Sequence, residues 1–226
     1  MRQDFVFGVD LDGVCGDYTA AFRDVVAEER GIDPASLPED RSWDFHEWGI
    51  DSPAEFDRLH KRAVLDRRIF RDMPAFPGAA EALWHLSDAG VWIRIITHRL
   101  FTNWGHATAV ADTVAWLDHH GMPYRDICFL GAKPEVEAHC YVDDAAHNVE
   151  ALRAAGNHVI VFDAPYNRAV DGPRARTWVE VEALVLERAA ALGFALQAPL
   201  PGVDDGADRL IRHLGLEPPD GGTTRP

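Results

Sequence analysis

Asp10 and Asp12, in the run Asp10-Leu11-Asp12-Gly13, are two carboxylates one residue apart that follow directly on the apolar run Phe5-Val6-Phe7-Gly8-Val9. The apolar run reads as a buried strand. A strand turns residues i and i+2 to the same side, so the two anions would share a small space unless a cation or a proton separates them. That pairing suits a divalent metal and a carboxylate nucleophile better than it suits a core. Three further groups sit at or just past other apolar runs: Thr97, Lys133 in Gly131-Ala132-Lys133, and the pair Asp143-Asp144. Together they would suit phosphoryl transfer through an aspartyl-phosphate. Asp10 would be the nucleophile, which splits one difficult displacement into two steps. An anion attacking an anionic phosphate needs charge neutralised, and Mg²⁺ held by Asp10 and Asp144 could do that. Lys133 and the Thr97 hydroxyl would hold the phosphoryl oxygens. Asp12 could protonate the departing oxygen and later activate water.

The elements that must position these groups alternate between strand and helix. Residues 5–10, 91–97, 126–130, 140–143 and 158–163 read as buried strands. Ala79, Leu83, Leu86 and Ala89 keep helical spacing after Pro77-Gly78, with Gly90 as a stop. Ala107, Val110, Ala111, Val114 and Leu117 repeat the pattern up to Gly121, and residues 146–155 form a third helix ended by Gly156. Regular exchange of this kind predicts an α/β fold, a doubly wound, Rossmann-like parallel sheet covered on both faces. In such sheets chemistry collects at the carboxyl ends of the strands, where all the groups above would meet. Residues 16–73 break the rhythm, with helical patterns over 18–29 and 53–70 and no strand. They predict a small helical cap inserted after the first strand, leaving 1–15 and 74–192 as the catalytic core. Residues 193–226 form a Pro-, Gly- and Asp-rich extension, with a short helix expected over 205–214 and disorder over 218–226.

The formal net charge of −15 over 226 residues repels nucleic acid and anionic membranes, so neither is an expected partner. It leaves room for a small anionic substrate, because a metal ion dominates the field inside its own site. Cys15, Cys128 and Cys140 are sparse and form no CxxC pair, which points to a reducing, cytoplasmic compartment. Neither a signal peptide nor an apolar run of transmembrane length is expected.

The motif set resembles the haloacid dehalogenase-like phosphohydrolase superfamily through Asp10-Leu11-Asp12-Gly13-Val14, Thr97 after an apolar strand, Lys133, and Asp143-Asp144 before a helix. The order and spacing of all four agree over roughly residues 5–170. The resemblance implies that Asp10 is the nucleophile and that Asp12 is the acid/base and gives a backbone carbonyl to Mg²⁺. Within the superfamily the chain is most similar to the cytosolic 5'(3')-deoxyribonucleotidase branch. That likeness rests on Asp10-x-Asp12-Gly13-Val14-x-x-Asp17-Tyr18, Phe76-Pro77-Gly78-Ala79 and Phe162-Asp163-Ala164-Pro165-Tyr166-Asn167-Arg168. It implies a phosphomonoesterase for nucleoside monophosphates, with Tyr18 close to the base. His98-Arg99 departs from the small residue usual after the threonine in the eukaryotic enzymes, so another small phosphate, such as a sugar phosphate, competes as substrate. A binding scaffold without turnover is a third reading.

Several assignments stay open on the sequence. Asp143 and Asp144 can both serve the metal, Asp144 directly and Asp143 as an orienting partner, or one can cap a helix. Asn148 either faces solvent or supports the ligands. His98 and Arg99 adjoin the phosphate pocket and can contact substrate or pack. Trp43, Phe45 and Trp48 are either core or a stacking surface for a base. Lys61, Arg62, Arg67, Arg68 and Arg71 are a solvated, paired face or a guide for phosphate. Tyr166-Asn167-Arg168 lines the site in an unassigned role. A homodimer is compatible with all of this.

Overall fold

The computed structural model describes residues 4–100, 104–130 and 132–197. Six strands form one all-parallel sheet: β1 (Phe5–Val9), β2 (Val91–Thr97), β3 (Asp126–Phe129), β4 (Cys140–Asp143), β5 (Val159–Phe162) and β6 (Arg174–Ala175). Their spatial order is β3-β2-β1-β4-β5-β6. The order reverses between β1 and β4, and that reversal opens the crevice where such sheets bind ligands. The five expected strands agree with the observed ones to within one residue at each end. In β1, β4 and β5 short apolar runs buried on both faces have few other ways to be satisfied, whereas β3, expected to be buried, lies at the sheet edge and is half-buried throughout.

Phe5, Phe7 and Val9 point to one face, packed beneath α4 (Ala79–Asp88), α5 (His106–His119) and α7 (Trp178–Ala191). On the other face Ile96, Tyr141, Val159 and Val161 pack with Val149 and Leu152 of α6 (Ala146–Ala154). Gly8 is needed there: a Cβ on it would come within 2.8 Å of Ile96 and 2.9 Å of Tyr141. The doubly wound architecture is therefore as expected. Helix α7 and the two-residue β6 go beyond the expectation. The signal for α7 was present in the spacing of its buried residues Trp178, Val181, Val185 and Ala189, and Thr177 and Glu180 form a capping box at its start.

Between β1 and β2 the chain makes a helical insert of α1 (Tyr18–Arg30), α2 (Pro53–Leu65) and α3 (Ile69–Asp72). The pattern over 53–70 is broken in two because Arg68 adopts a left-handed conformation, φ 51°. The insert centres on an apolar cluster that includes Phe22, Val26, Phe45, Trp48, Leu59 and Phe70, joined by Ala109 of α5. Its entry and exit are hydrogen-bonded to each other: Asp17 N–H donates to Pro74 O at 2.8 Å, and Phe76 N–H to Cys15 O at 2.8 Å. Two core tryptophans brace this neck. Trp178 Nε1 donates to Val14 O at 3.0 Å and Trp116 Nε1 to Met73 O at 2.7 Å.

Among the described residues no helix is long and apolar enough to cross a membrane. Cys15 and Cys140 are buried free thiols and Cys128 is half-buried. The helix expected over 205–214 and the disorder expected over 218–226 lie outside the described residues.

Candidate active site

Because all strands run in parallel, their carboxyl ends share one edge. β1 delivers Asp10, β2 ends in Thr97, the turn after β3 carries Lys133, and β4 ends in Asp143 with Asp144 following. Asp10, Thr97, Lys133, Asp143 and Asp144 are all buried. The Lys133 ammonium lies 2.8 Å from Asp10 Oδ1 and donates to Asp143 Oδ2 at 2.6 Å. The second Asp143 oxygen accepts from Ala145 N–H at 3.0 Å and from Asn148 Nδ2 at 3.2 Å. Asn148 thus supports the acidic cluster rather than facing solvent. Asp144 accepts a short hydrogen bond from the Tyr166 hydroxyl, and Asn167 Nδ2 bridges Asp144 O and Phe162 O at 2.7 Å each. These contacts give the loop after β5 the role that the sequence left unassigned.

Asp10, Asp143 and Asp144 can each place one oxygen within 4.8 Å of the others. Three buried carboxylates face one ammonium, so the cluster is short of positive charge. Burial pushes Asp10 up to about 7, with Lys133 opposing and Asp143 adding to the rise. Asp144 is also raised well above the ordinary carboxylate range, by burial first and then by the Asp143 and Asp10 charges. For Lys133 burial opposes the charge, but Asp10 and Asp143 outweigh it and hold its pKa above the usual lysine value. An all-oxygen donor set with a deficit of positive charge fits a hard divalent cation. The loop is shaped to the same end. Gly13 has φ +82°, and a Cβ there would fall 2.1 Å from Asp144 Oδ2.

Two polar atoms face this cluster without satisfaction. Thr97 Oγ1 and His98 Nε2 are buried and have no hydrogen-bond partner among the described residues. Burial and the Lys133 charge lower His98 to about 4, so its ring is neutral near pH 7. Buried polar atoms of this kind ordinarily find a partner, and a phosphoryl oxygen would supply one.

The structure separates the other expected residues. Asp12 is not one of the three grouped carboxylates, though its charge still adds to the rise at Asp10; it meets Arg99 in a bidentate pair, Oδ2 to Nε at 3.0 Å and Oδ1 to Nη2 at 2.7 Å. Arg99, expected to face substrate, is instead buried against Asp12. Tyr18 is half-buried, with its hydroxyl 2.8 Å from His60 Nδ1. Trp43 is 46% exposed, and its ring edges contact Tyr166 and His147 at centroid distances of 5.3 and 5.2 Å. Phe45 is a correction: Phe22, Trp48 and Phe56 pack around it, and Arg41 lies over its ring at 3.8 Å. It is insert core, with no ring face left to stack on a base. The arginines of the basic run are paired, Arg62 and Arg67 with Glu28, Arg62 also with Glu29, Arg68 with Asp112, and Arg71 with Asp72, while Lys61 lies over the Trp104 ring at 5.9 Å.

Sequence reasoning missed Arg41. Its buried guanidinium donates to Thr19 Oγ1 at 2.7 Å and to Ser42 O at 2.9 Å, and it sits 4.3 Å from the Tyr166 ring centroid. The insert's loop thereby reaches the tyrosine that holds Asp144. The surrounding loop has no periodicity that could have singled it out.

The family described as "5' nucleotidase, deoxy (Pyrimidine), cytosolic type C protein" matches residues 4–192. A Chlorobaculum tepidum protein named "Putative 5'(3')-deoxyribonucleotidase" is 48% identical over 182 residues, which are 80% of this chain and 89% of that protein. A Bordetella pertussis protein of the same name is 31% identical over 189 residues, 81% of this chain and 98% of its own length. Among solved structures, a haloacid dehalogenase-like hydrolase of Streptococcus pneumoniae superposes with TM-score 0.55 at 14% identity, covering 81% of this chain and 99% of that one. A haloacid dehalogenase-like protein of unknown function from Agrobacterium tumefaciens does so with TM-score 0.54 at 17% identity, covering 83% and 100%. At those identities the likeness shows the fold alone. The chain belongs to the cytosolic type C 5'-nucleotidase family and is a phosphoric monoester hydrolase on a haloacid dehalogenase-like fold.

Proposed function

We propose that the chain is a Mg²⁺-dependent phosphomonoesterase that works through an aspartyl-phosphate on Asp10 and takes nucleoside monophosphates, deoxyribonucleotides foremost. One observation carries this reading. A buried nucleophile candidate, Asp10, lies beside a single lysine, a surplus of carboxylates and an unsatisfied threonine hydroxyl. When bound by Asp10, the Asp12 carbonyl and Asp144, Mg²⁺ supplies positive charge that lets carboxylate and phosphate approach. Asp143, engaged by Lys133, Asn148 and Ala145 N–H, is then the orienting carboxylate. Lys133 and Thr97 donate to the phosphoryl oxygens, and neutral His98 is a third donor in the same pocket.

In the first step an Asp10 oxygen forms the O–P bond while the ester P–O bond breaks. Asp12 gives the departing oxygen its proton. In the second step Asp12 takes a proton from water, the water oxygen forms a new bond to phosphorus, and the Asp10 O–P bond breaks. Inorganic phosphate leaves and Asp10 is regenerated.

Residues 16–73 act as a cap that shuts water out over the site. An apolar cluster built mainly from the insert's residues, and the hydrogen-bonded neck between entry and exit, support that role. Tyr18 and Trp43 line the cap side. The names carried by relatives support a nucleotide substrate, and the free, mostly buried thiols suit a reducing cytoplasm.

The test is phosphate release with Mg²⁺ across nucleoside monophosphates, their deoxy forms and sugar phosphates. Nucleotides are expected to turn over best, and Asp10→Asn to abolish release. Equal or better turnover of sugar phosphates would remove the nucleotide assignment. Wild-type rates from Asp10→Asn would remove the mechanism.

A further inference from the structure

We infer that Arg99 is the positioning residue for Asp12, and that it ties the aim of that carboxylate to the segment by which the insert returns to the core. The inference rests on the reading of Asp12 as acid/base. Asp12 would have considerable freedom without such a partner: its side chain is 28% exposed, whereas that of Arg99 is 1% exposed. Both carboxylate oxygens meet one planar fork, Nε to Oδ2 and Nη2 to Oδ1. A bidentate pair of this kind fixes the carboxylate plane as well as its distance.

The guanidinium is in turn held on its remaining sides. Nη1 donates to Thr113 Oγ1 of α5 at 2.9 Å, and that hydroxyl donates to Ala109 O at 2.6 Å. The Arg99 Cζ lies 4.3 Å from the Phe70 ring centroid, and Nη2 approaches Met73 Sδ at 3.7 Å. Phe70 belongs to α3 at the end of the insert, and Met73 is the residue after it. Four elements thus converge on one cation: the loop after β1, the end of β2, α5 and the insert's exit. With its fork used by Asp12 and Thr113, Arg99 has little left to offer a phosphate. It acts through Asp12, whereas Lys133 and Thr97 face the phosphate pocket directly.

Holding a proton-transfer group in its productive orientation accounts for about 10- to 100-fold in rate. The experiment compares Arg99→Met, Arg99→Lys, Asp12→Asn and the Asp12→Asn/Arg99→Met double variant with wild type at saturating Mg²⁺. Each is assayed on a deoxyribonucleoside monophosphate and on 4-nitrophenyl phosphate, whose leaving group departs without a proton. Arg99→Met is expected to lower kcat on the nucleotide by about 10- to 100-fold, with KM within about threefold of wild type. First-turnover release of nitrophenolate should be unchanged. The double variant should be no slower than Asp12→Asn alone, because residues acting as one unit are not additive. Arg99→Lys keeps the charge and loses the fork, so its kcat should fall between the two.

Four results would overturn the inference: a raised KM with kcat intact, effects of Arg99→Met and Asp12→Asn that multiply, an equal loss of the nitrophenolate burst, or full activity in Arg99→Lys. If Arg99→Met does not fold, Arg99→Lys and its double variant with Asp12→Asn carry the comparison. Asp12→Asn at wild-type rates would instead refute the acid/base reading, whatever the Arg99 variants do.

Discussion

Replacing Gly13 by alanine probes the fit between the β1 loop and Asp144, and its consequence can be worked from distances. The new Cβ would stand 2.1 Å from Asp144 Oδ2, 2.7 Å from its Cγ and 3.0 Å from the Tyr166 hydroxyl. To restore ordinary contact at 3.4 Å, the carboxylate oxygen must retreat by about 1.3 Å. That same oxygen accepts from Tyr166, so the hydrogen bond and the ligand position are lost together. A misplacement of about 1 Å at a reacting centre can cost roughly 100-fold in rate. The backbone adds a separate term, because Gly13 has φ +82° and alanine in the left-handed region costs about 1–2 kcal/mol. Gly31 isolates that term: it has φ +65°, and a Cβ there meets nothing within 4 Å. Gly31→Ala should therefore lose about 2–8 °C in Tm, and Gly13→Ala more, because the clash with Asp144 comes on top of the backbone term. Only Gly13→Ala should lose about 100-fold in kcat and need more Mg²⁺ for half-maximal phosphate release. The assay is phosphate release against Mg²⁺ concentration, with thermal unfolding followed in parallel. Wild-type kcat and Mg²⁺ response in Gly13→Ala, or equal activity losses in the two variants, would refute the reasoning.

Other perturbations test other parts of the same structure. Lys133→Met leaves Asp10 and Asp143 buried without their shared cation. It should lose at least about 100-fold in kcat and about 3–5 kcal/mol in denaturant unfolding; a loss of stability under 1 kcal/mol would contradict the buried pairing. His60 has its pKa held below 6.5 by burial, so between 6.5 and that lower value the unfolded chain binds more protons than the native one. Stability then falls as pH drops through this window. His60→Gln should remove its own share of the Tm–pH slope below pH 6.5, while His98, His120 and His158, also lowered by burial, keep theirs and Asp10, raised to about 7, acts in the opposite sense; an unaltered slope would count against His60. The Asp40–Arg168 pair, at 3.1 Å, is open to water on both sides. Arg168→Ala should thus shift Tm by no more than about 4 °C, and a larger loss would mean that the contact holds the insert's loop to the core.

The gathering of Asp10, Thr97, Lys133 and Asp143 at one edge was readable ahead of the structure for a topological reason. Asp10, Thr97 and Asp143 each close an apolar run. Once those runs are parallel strands, their ends must share an edge, whatever the loops do. Lys133 follows because the turn after β3 opens onto the same edge. The helical character of the segment between β1 and β2 was readable in part, from the patterns over 18–29 and 53–70, which correspond to α1 and to α2 with α3. By contrast, nothing local separates Phe45, which became core, from Trp43, which stayed 46% exposed. Two aromatics in one aperiodic loop carry the same composition signal.

The residues of Phe5–Val9, Val91–Thr97 and Cys140–Asp143 were thus enough to specify a doubly wound sheet and the carboxylates at its edge. Apolar periodicity is a local property that survives in one dimension. Which carboxylate each cation meets is not local. Arg99 lies 87 residues from Asp12 and Tyr166 lies 22 residues from Asp144, and a charged side chain has no periodic signal to announce a partner at that distance. Packing alone assigned Arg99 to Asp12, Lys133 to Asp10 and Asp143, and Tyr166 to Asp144. It did so because a charge or hydroxyl buried without a partner is costly, and the partners that relieve that cost are met only when distant segments pack together.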